Sequence, residues 1–257
     1  MINEMNALNL PEHAILDRSF FKKTNGAFEH RFVYLPVENN TTGRTWLNNN
    51  LGADYANVDS SAYNASKQAT ATDDYLAYGS LFQWGRKADG HELINWNDNV
   101  NGTGKYSTTT TKSDAPDKLF ILDTSDRKDW RVTRDDTLWA SESSPNNVCP
   151  IGYRLPLNPN GANDAENEFY ELTKDWENLS KEIAFSSFLK LTGTGVRAHD
   201  TGSTNSAYYI HVGNYWSGSV NSDGVAVNLW FFTSGYGSAN DNTMYRAQGL
   251  PVRCIKD

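Results

Sequence analysis

"CPIGYRLP", residues 149–156, decides the fold, because the clearest helix of the chain follows it and the sequence changes character afterwards. Asn163 or Asp164 can cap that helix, acidic residues fill its first turn, and Phe169, Leu172, Trp176 and Leu179 recur at three- and four-residue steps. The spacing predicts one amphipathic helix with limits near 164 and 180. Past it come short apolar runs separated by Gly, Asn and Ser: "AFSSFLKLTGTGVRA", "AYYIHVGNYWSGSV", "VAVNLWFFTS" and "GLPVRCIKD". One helix among antiparallel strands, with loops growing toward the C-terminus, is an α+β domain.

Upstream, residues 1–35 read as an N-terminal arm with a short helix after Pro11, and residues 36–257 as the body. "HRFVYLPV" (30–37), the turn-rich "ENNTTGR" and "TWLNNNLGA" make a hairpin. "YLAYGSLFQWGRKADGHE" brings Tyr75, Tyr78, Leu81, Phe82 and Trp84 close together as core lining that ends in a glycine turn. From about 93 to 147 the chain is polar and has little period. It reads as a long surface excursion pinned by Trp96, Trp130 and Trp139, since a structureless loop of that length needs an anchor or a function.

Composition removes some functions. With 23 basic against 31 acidic residues and a formal charge of -8, the chain lacks the cationic excess that tracks phosphates, so nucleic acid is not an expected partner. No apolar stretch reaches the length of a membrane span, and the first residues lack the basic start and apolar block of a signal peptide. Cys149 and Cys254 are too far apart for a local metal or redox motif, and their spacing leaves two buried thiols and a bridge both open. His13, His30, His91, His199 and His211 form no HExxH pair and read as surface or strand residues. There is no GxSxG elbow, Walker loop or dinucleotide fingerprint. The acidic pairs Asp73–Asp74 and Asp135–Asp136 read as solvated.

Four fragments together resemble the Fibrobacter succinogenes major paralogous domain and its relatives, which belong to the C-type lectin-like fold of the formylglycine-generating-enzyme type. They are "RTWLNNNLGA" (44–53), "YGSLFQWGRKADGHE" (78–92), "CPIGYRLP" (149–156) and the tail "NYWSGS…VNLWFF…RAQGLPVRCIKD". Their order and spacing cover roughly residues 40–257. The resemblance implies that Tyr153–Leu155 lie beside Pro251–Ile255, which would bring Cys149 close to Cys254. A disulfide there would close a loop of about a hundred residues, worth roughly 4 to 5 kcal/mol by chain entropy. No cofactor is implied. A structural calcium is left open, because "WND" at 96–98 is similar to a calcium-ligating lectin triplet but stands outside that setting.

The tail also resembles the variable proteins of diversity-generating retroelements, in which adenines of Asn codons are mutated to leave Tyr, Ser, Asp, Thr, Ala and others on an outer surface. Between 201 and 250, Tyr, Ser, Gly and Asn make up 25 of 50 residues against 56 of 207 elsewhere. Loops favour the three small types in any protein, but the tyrosines point to a binding surface of the kind seen in antibody loops. Period two puts Val227, Leu229 and Phe231 on one strand face and Ala226, Asn228, Trp230 and Phe232 on the other. The first set is the better core candidate; the second faces a ligand or lies under the 93–147 excursion.

These readings give a variable region at about 205–250, with ligand contacts from Tyr208, Tyr209, Asn214, Asn221, Asp223, Asn228, Trp230, Phe232, Tyr236, Asp241, Asn242 and Tyr245. Trp216, Arg246, Gly249 and Val252 would hold the scaffold, and Gly235–Tyr245 would be a loop. Met244 and Trp230 cannot arise from an Asn codon by adenine change. The expected function is a non-enzymatic receptor-binding protein or adhesin on a cell surface or phage virion, its partner a protein or glycan. The alternatives are an undiversified bacterial glycan-binding protein and an oxidase similar to formylglycine-generating enzymes. The last needs a close cysteine pair to hold copper, where only Cys254 is present.

Overall fold

The computed structural model describes residues 10–24, 26–159, 162–204, 212–241 and 243–257. It is mostly strand with a few short helices, an α+β arrangement. Its first sheet has four strands in the order Tyr153–Arg154, Ile255–Lys256, Thr45–Leu47, Pro36–Glu38, all antiparallel. The expected hairpin is therefore present, and the strand after Cys149 pairs with the C-terminal strand, Tyr153 opposite Lys256 and Arg154 opposite Ile255. Cys149 and Cys254, 105 positions apart in the sequence, are joined by a disulfide with their Cα atoms 5.9 Å apart.

The second sheet is a meander, Gly213–Val220, Ala226–Phe231 and Gly237–Asp241. Tyr215, Leu229 and Phe231 pack on Trp46, Phe169, Leu172 and Ile255. The other face also meets a core: Trp216 and Ala226 join Trp84, Trp139, Leu155 and the two cysteines. Both faces of the central strand are covered over much of its length, so alternation sorted the side chains correctly but did not leave an open face.

The helix expected between 164 and 180 is a single short one, Glu168–Thr173, and a second, Lys181–Ser186, begins beyond the expected limit. Asn167, rather than Asn163 or Asp164, caps the first by accepting from the amides of Phe169 and Tyr170. Small polar side chains set the start of the second helix: Asn178 Oδ1 accepts from the Ser180 amide, and Ser180 Oγ caps the helix by accepting from the Ile183 amide. Trp176 and Leu179 keep their apolar role, half-buried against the same core. No described helix is long and apolar enough to cross a membrane.

The arm is packed rather than free. In place of a helix, Pro11 opens a single turn to Ala14, and Ile15–Leu16 pairs with Val33–Tyr34. Phe20, Val33 and Ala65 form a small core there. Under it lies a cluster of charges that overturns the surface reading of two histidines: His30 and His91 are 5 % and 1 % exposed, beside Glu92 at 0 % and Asp17 at 8 %. His30 Nε2 stands 2.7 Å from Glu92 Oε1. Burial raises the Asp17 carboxyl to about 6, with His30 pulling the other way. Burial opposes charge on His30, but the hydrogen bond to Glu92 together with the negative charges of Glu92, Asp17 and Glu29 outweighs it and raises its pKa. Burial would push Glu92 up, yet its bonds to His30 and His91 hold it well below the carboxylate range.

The 93–147 excursion is fixed by its tryptophans, as expected, although it also contains short strands. Trp130 and Trp139 are buried, and the Nε1 groups of Trp96, Trp130 and Trp139 donate to the carbonyls of Gly79, Trp84 and Asn146. Neither acidic pair is merely solvated. Asp74 caps the turn Tyr75–Ala77, and Asp136 pairs with Arg134 and Arg246.

Two outcomes follow. Replacing both cysteines by serine should lower the unfolding free energy by about 4 kcal/mol, the chain-entropy value for a loop of this size, in urea titrations against the oxidised parent. Asp17, with its folded pKa raised, contributes stability that is present below its unfolded value near 4 and lost as pH rises through about 6. Asp17→Asn should therefore flatten the fall in stability between pH 4 and 6 in the same assay, while the acid limb set by Glu92 remains.

Candidate functional site

The site is built where the excursion meets the end of the meander. A groove with a cavity volume of about 400 Å3 runs between Asp126–Arg134 on one side and Gly224–Ala226 with Thr243–Arg246 on the other. The turn at Asn221–Val225 shapes the second wall: Asn221 Oδ1 accepts from the amides of Asp223 and Val225. Gly224 has φ +68°, and a Cβ there would sit 0.7 Å from Arg134 Nη2, so the guanidinium rests on bare backbone. Arg134 donates to Asp136 Oδ1 at 3.0 Å and to the Asp223 carbonyl at 2.6 Å. Arg246, 6 % exposed, is held by the Asp135 carbonyl, Asp136 and the Gly224 carbonyl, with its guanidinium 4.4 Å from the Trp84 ring centre.

Tyr245 is half-buried, with Lys128 Nζ 3.8 Å over its ring and His199 edge-on at 5.1 Å. Lys128 has φ 46°, a left-handed conformation uncommon outside glycine. Its backbone is clamped from both sides, its amide bonded to the Ser125 carbonyl and its own carbonyl accepting from Ala247 at 3.0 Å. Asp123 anchors this turn through the Asp129 amide at 2.7 Å, and the Asp123 carbonyl stands 2.7 Å from His199 Nδ1.

The candidate contacts divide. Tyr236 is 73 % exposed on the hairpin tip, whose Phe232 amide bonds to the Leu179 and Tyr236 carbonyls. Asp223 is exposed; Trp230, Phe232, Asn221 and Asp241 are half-buried. Asp241 Oδ2 accepts from the Thr243 hydroxyl at 2.8 Å. Tyr208, Tyr209 and Asn242 lie outside the described residues. The stretch expected as a loop contains the strand Gly237–Asp241, which separates Tyr236 from the groove by five residues, roughly 17 Å at strand rise. Tyr236 and Tyr245 therefore belong to opposite ends of one hairpin.

Asn214 and Asn228 are corrections. Both are fully buried, and Asn228 Nδ2 donates to Asn214 Oδ1 at 3.1 Å, leaving Asn214 Nδ2 and Asn228 Oδ1 without a bond among the described residues. They cannot contact a ligand without the sheet opening. Trp216, Arg246, Gly249 and Val252 are buried, as scaffold residues should be. The sequence reading missed Arg127, Lys128, Arg134, Val225 and Met244. Its available signal was the charged run 126–136 flanking Trp130, a tryptophan already taken as an anchor.

Two features that could suggest a metal have donor atoms already bonded within the protein. Asp89, His91 and Glu92 bring a ligand atom each within 4.8 Å of one another. His91 Nε2, however, accepts from the Gln83 amide at 3.0 Å, so the ring proton sits on Nδ1, facing Asp89 at 2.8 Å and Glu92 at 3.2 Å. Asp98 of the WND triplet spends Oδ1 on the amides of Val100 and Asn101 and on Asn101 Nδ2.

Comparison of the chain with family models, curated proteins and solved structures finds no match. The geometry thus carries the functional argument. The buried amide pair gives one further outcome: Asn228→Ala should cost about 1–3 kcal/mol in urea unfolding, because it removes the bond that Asn214 Oδ1 makes among the described residues. A cycle with Asn214→Ala should show a coupling above 0.5 kcal/mol.

Proposed function

We propose that the chain is a non-enzymatic ligand-binding protein of the C-type lectin-like fold, a receptor-binding or adhesin domain of a cell or virion surface, with a C-terminal segment diversified by a retroelement. The observation that carries this reading is the sorting of side chains within residues 236–246. Tyr236 and Thr243 are exposed, Asp241 and Tyr245 are half-buried, and Met244 and Arg246 are buried. Tyr, Asp and Thr are what adenine change leaves of an Asn codon, and they stand where substitution costs little. Met, which that change cannot produce, stands in the core.

Other features support the fold part of the reading. The strand after Cys149 is paired with the C-terminal strand, and the disulfide ties the start of one to the approach of the other. The same bridge weighs against an oxidase, which would need free thiols for copper, since Cys149 and Cys254 are bonded to each other. Burial of Asn214 and Asn228 removes these two from the diversified set.

The gene's surroundings test the proposal. A reverse transcriptase and a near-copy of the 3' end should be found there, differing at adenines in the codons for Tyr236, Asp241, Asn242, Thr243 and Tyr245, and not in those for Asn214, Asn228 or Met244. Absence of both elements would sink diversification. Binding is tested separately: Tyr236→Ala with Tyr245→Ala should leave the melting temperature nearly unchanged and abolish capture on cell and glycan arrays, and unchanged capture would move the site elsewhere.

A further inference from the structure

We propose that the groove takes an acidic peptide segment through a carboxylate held by Arg127 and Arg134, and that this wall is the constant half of a composite site. The inference rests on reading the C-terminal surface as the ligand site, and adds the chemistry of the ligand. One wall, Asp126–Arg134, lies outside the 205–250 region, while the other, Val225 with Thr243–Tyr245, lies inside it. A diversified wall facing a constant one can vary selectivity while a common anchor is retained.

Unspent hydrogen-bonding capacity on the constant wall indicates what that anchor holds. Arg246 is buried, with both Nη1 and Nη2 already bonded. The side chain of Arg127 is 51 % exposed; its Nη1 donates to the Val132 carbonyl and its Nη2 stands 3.9 Å from Asp129, too far for a hydrogen bond. Among the described residues, its Nε and Nη2 have no acceptor. Arg134, 39 % exposed at its side chain, spends Nε and Nη2 and among the described residues keeps Nη1. Guanidinium groups with spare N–H bonds match a carboxylate in charge and in planar geometry.

The rest of the groove favours a peptide over an acidic sugar. Ala226 and Met244 are buried and Val225 is half-buried, an apolar lining suited to the methylene stem of a glutamate side chain. A sugar ring would stack on an open aromatic face, but Lys128 Nζ covers a face of Tyr245. The constant wall is also held in place before any ligand arrives, through buried Trp130, the Asp123–Asp129 bond and the clamped Lys128 backbone. Asp126, exposed on the rim, carries the opposite charge and gives the proposal a test of sign.

The experiment is an NMR titration of the whole chain with hexaglutamate, reading the Met244 methyl, one of three methionines, and the Tyr245 ring. Hexaglutamine and an oligogalacturonate of equal charge are run beside it. Hexaglutamate should shift both signals and hexaglutamine neither. Arg127→Gln should weaken hexaglutamate about fivefold or more, and Asp126→Asn should strengthen it about two- to threefold, with both effects shrinking in high salt. Unmoved Met244 and Tyr245 signals, or an Arg127→Gln variant that binds as the parent does, would overturn the proposal. Tighter binding of oligogalacturonate would overturn the peptide class, and equal binding of hexaglutamine the need for charge. If no probe moves the groove while Tyr236→Ala with Tyr245→Ala still abolishes capture on arrays, this proposal falls and the ligand-binding reading survives.

Discussion

Arg253 places a guanidinium in the interior, 3 % exposed, with no carboxylate paired to it among the described residues. Its partners are neutral: Asn50 Oδ1 at 2.9 Å, and the carbonyls of Leu47, Asn48 and Leu189 at 3.3, 3.0 and 2.9 Å. Burial lowers its pKa to about 10, which leaves it charged at neutral pH. A charge removed from water at this cost is tolerated only when its donors are met by well-placed acceptors. The acceptors come from the first hairpin and from the segment after the second helix, so the C-terminal strand can take its place only when both are already positioned. Asn50 extends the network by donating to the Tyr78 carbonyl and to Tyr215 Oη, which also bonds Thr192. The adjacent disulfide and the strand pairing on either side of Arg253 reinforce a junction that this one residue already demands.

From that junction the scaffold extends toward the groove through aromatic and ionic contacts. Trp216 donates to the Phe82 carbonyl, Trp84 to that of Ser217, and Trp130 to that of Trp84. Arg246 lies over Trp84 and reaches Asp136. Each tryptophan buries a large apolar ring while its N–H fixes a backbone carbonyl, so the polar excursion is held although its own strands are only two or three residues long. The result is a rigid frame whose variable candidates stand at its margin. Loss of a surface side chain there leaves the frame intact, whereas loss of Asn228 or Arg246 reaches into it.

Much of the fold was legible where the signal was local. The hairpin from Pro36 to Leu47, the glycine turn after Trp84, and the tryptophans that hold the excursion all follow from turn residues and apolar spacing. The candidate site was less legible. Alternation placed Asn228 and Trp230 on one strand face, but whether that face meets solvent depends on what the chain lays over it, and here the same face contributes Ala226 and Trp216 to a core. Arg134 sits beside Gly224 across 90 residues of sequence, a contact that no local pattern encodes. The helix expected between 164 and 180 stops at Thr173, and Asn178 and Ser180 set the start of the next one at Lys181, a local signal that the regular spacing of Phe169, Leu172, Trp176 and Leu179 had masked.

The sequence alone determined the α+β class, the first hairpin, the anchoring tryptophans and the apolar faces, because these depend on periodicity, turn chemistry and the size of aromatic side chains. Tertiary structure decided that Asn214 and Asn228 are buried partners, that Tyr236 and Tyr245 stand at opposite ends of a hairpin, and that Arg127 and Arg134 wall a groove. Exposure and charge neighbourhood are properties of surfaces brought together from distant segments. A residue's type fixes what it can donate or accept, and only the folded chain fixes what is left unspent.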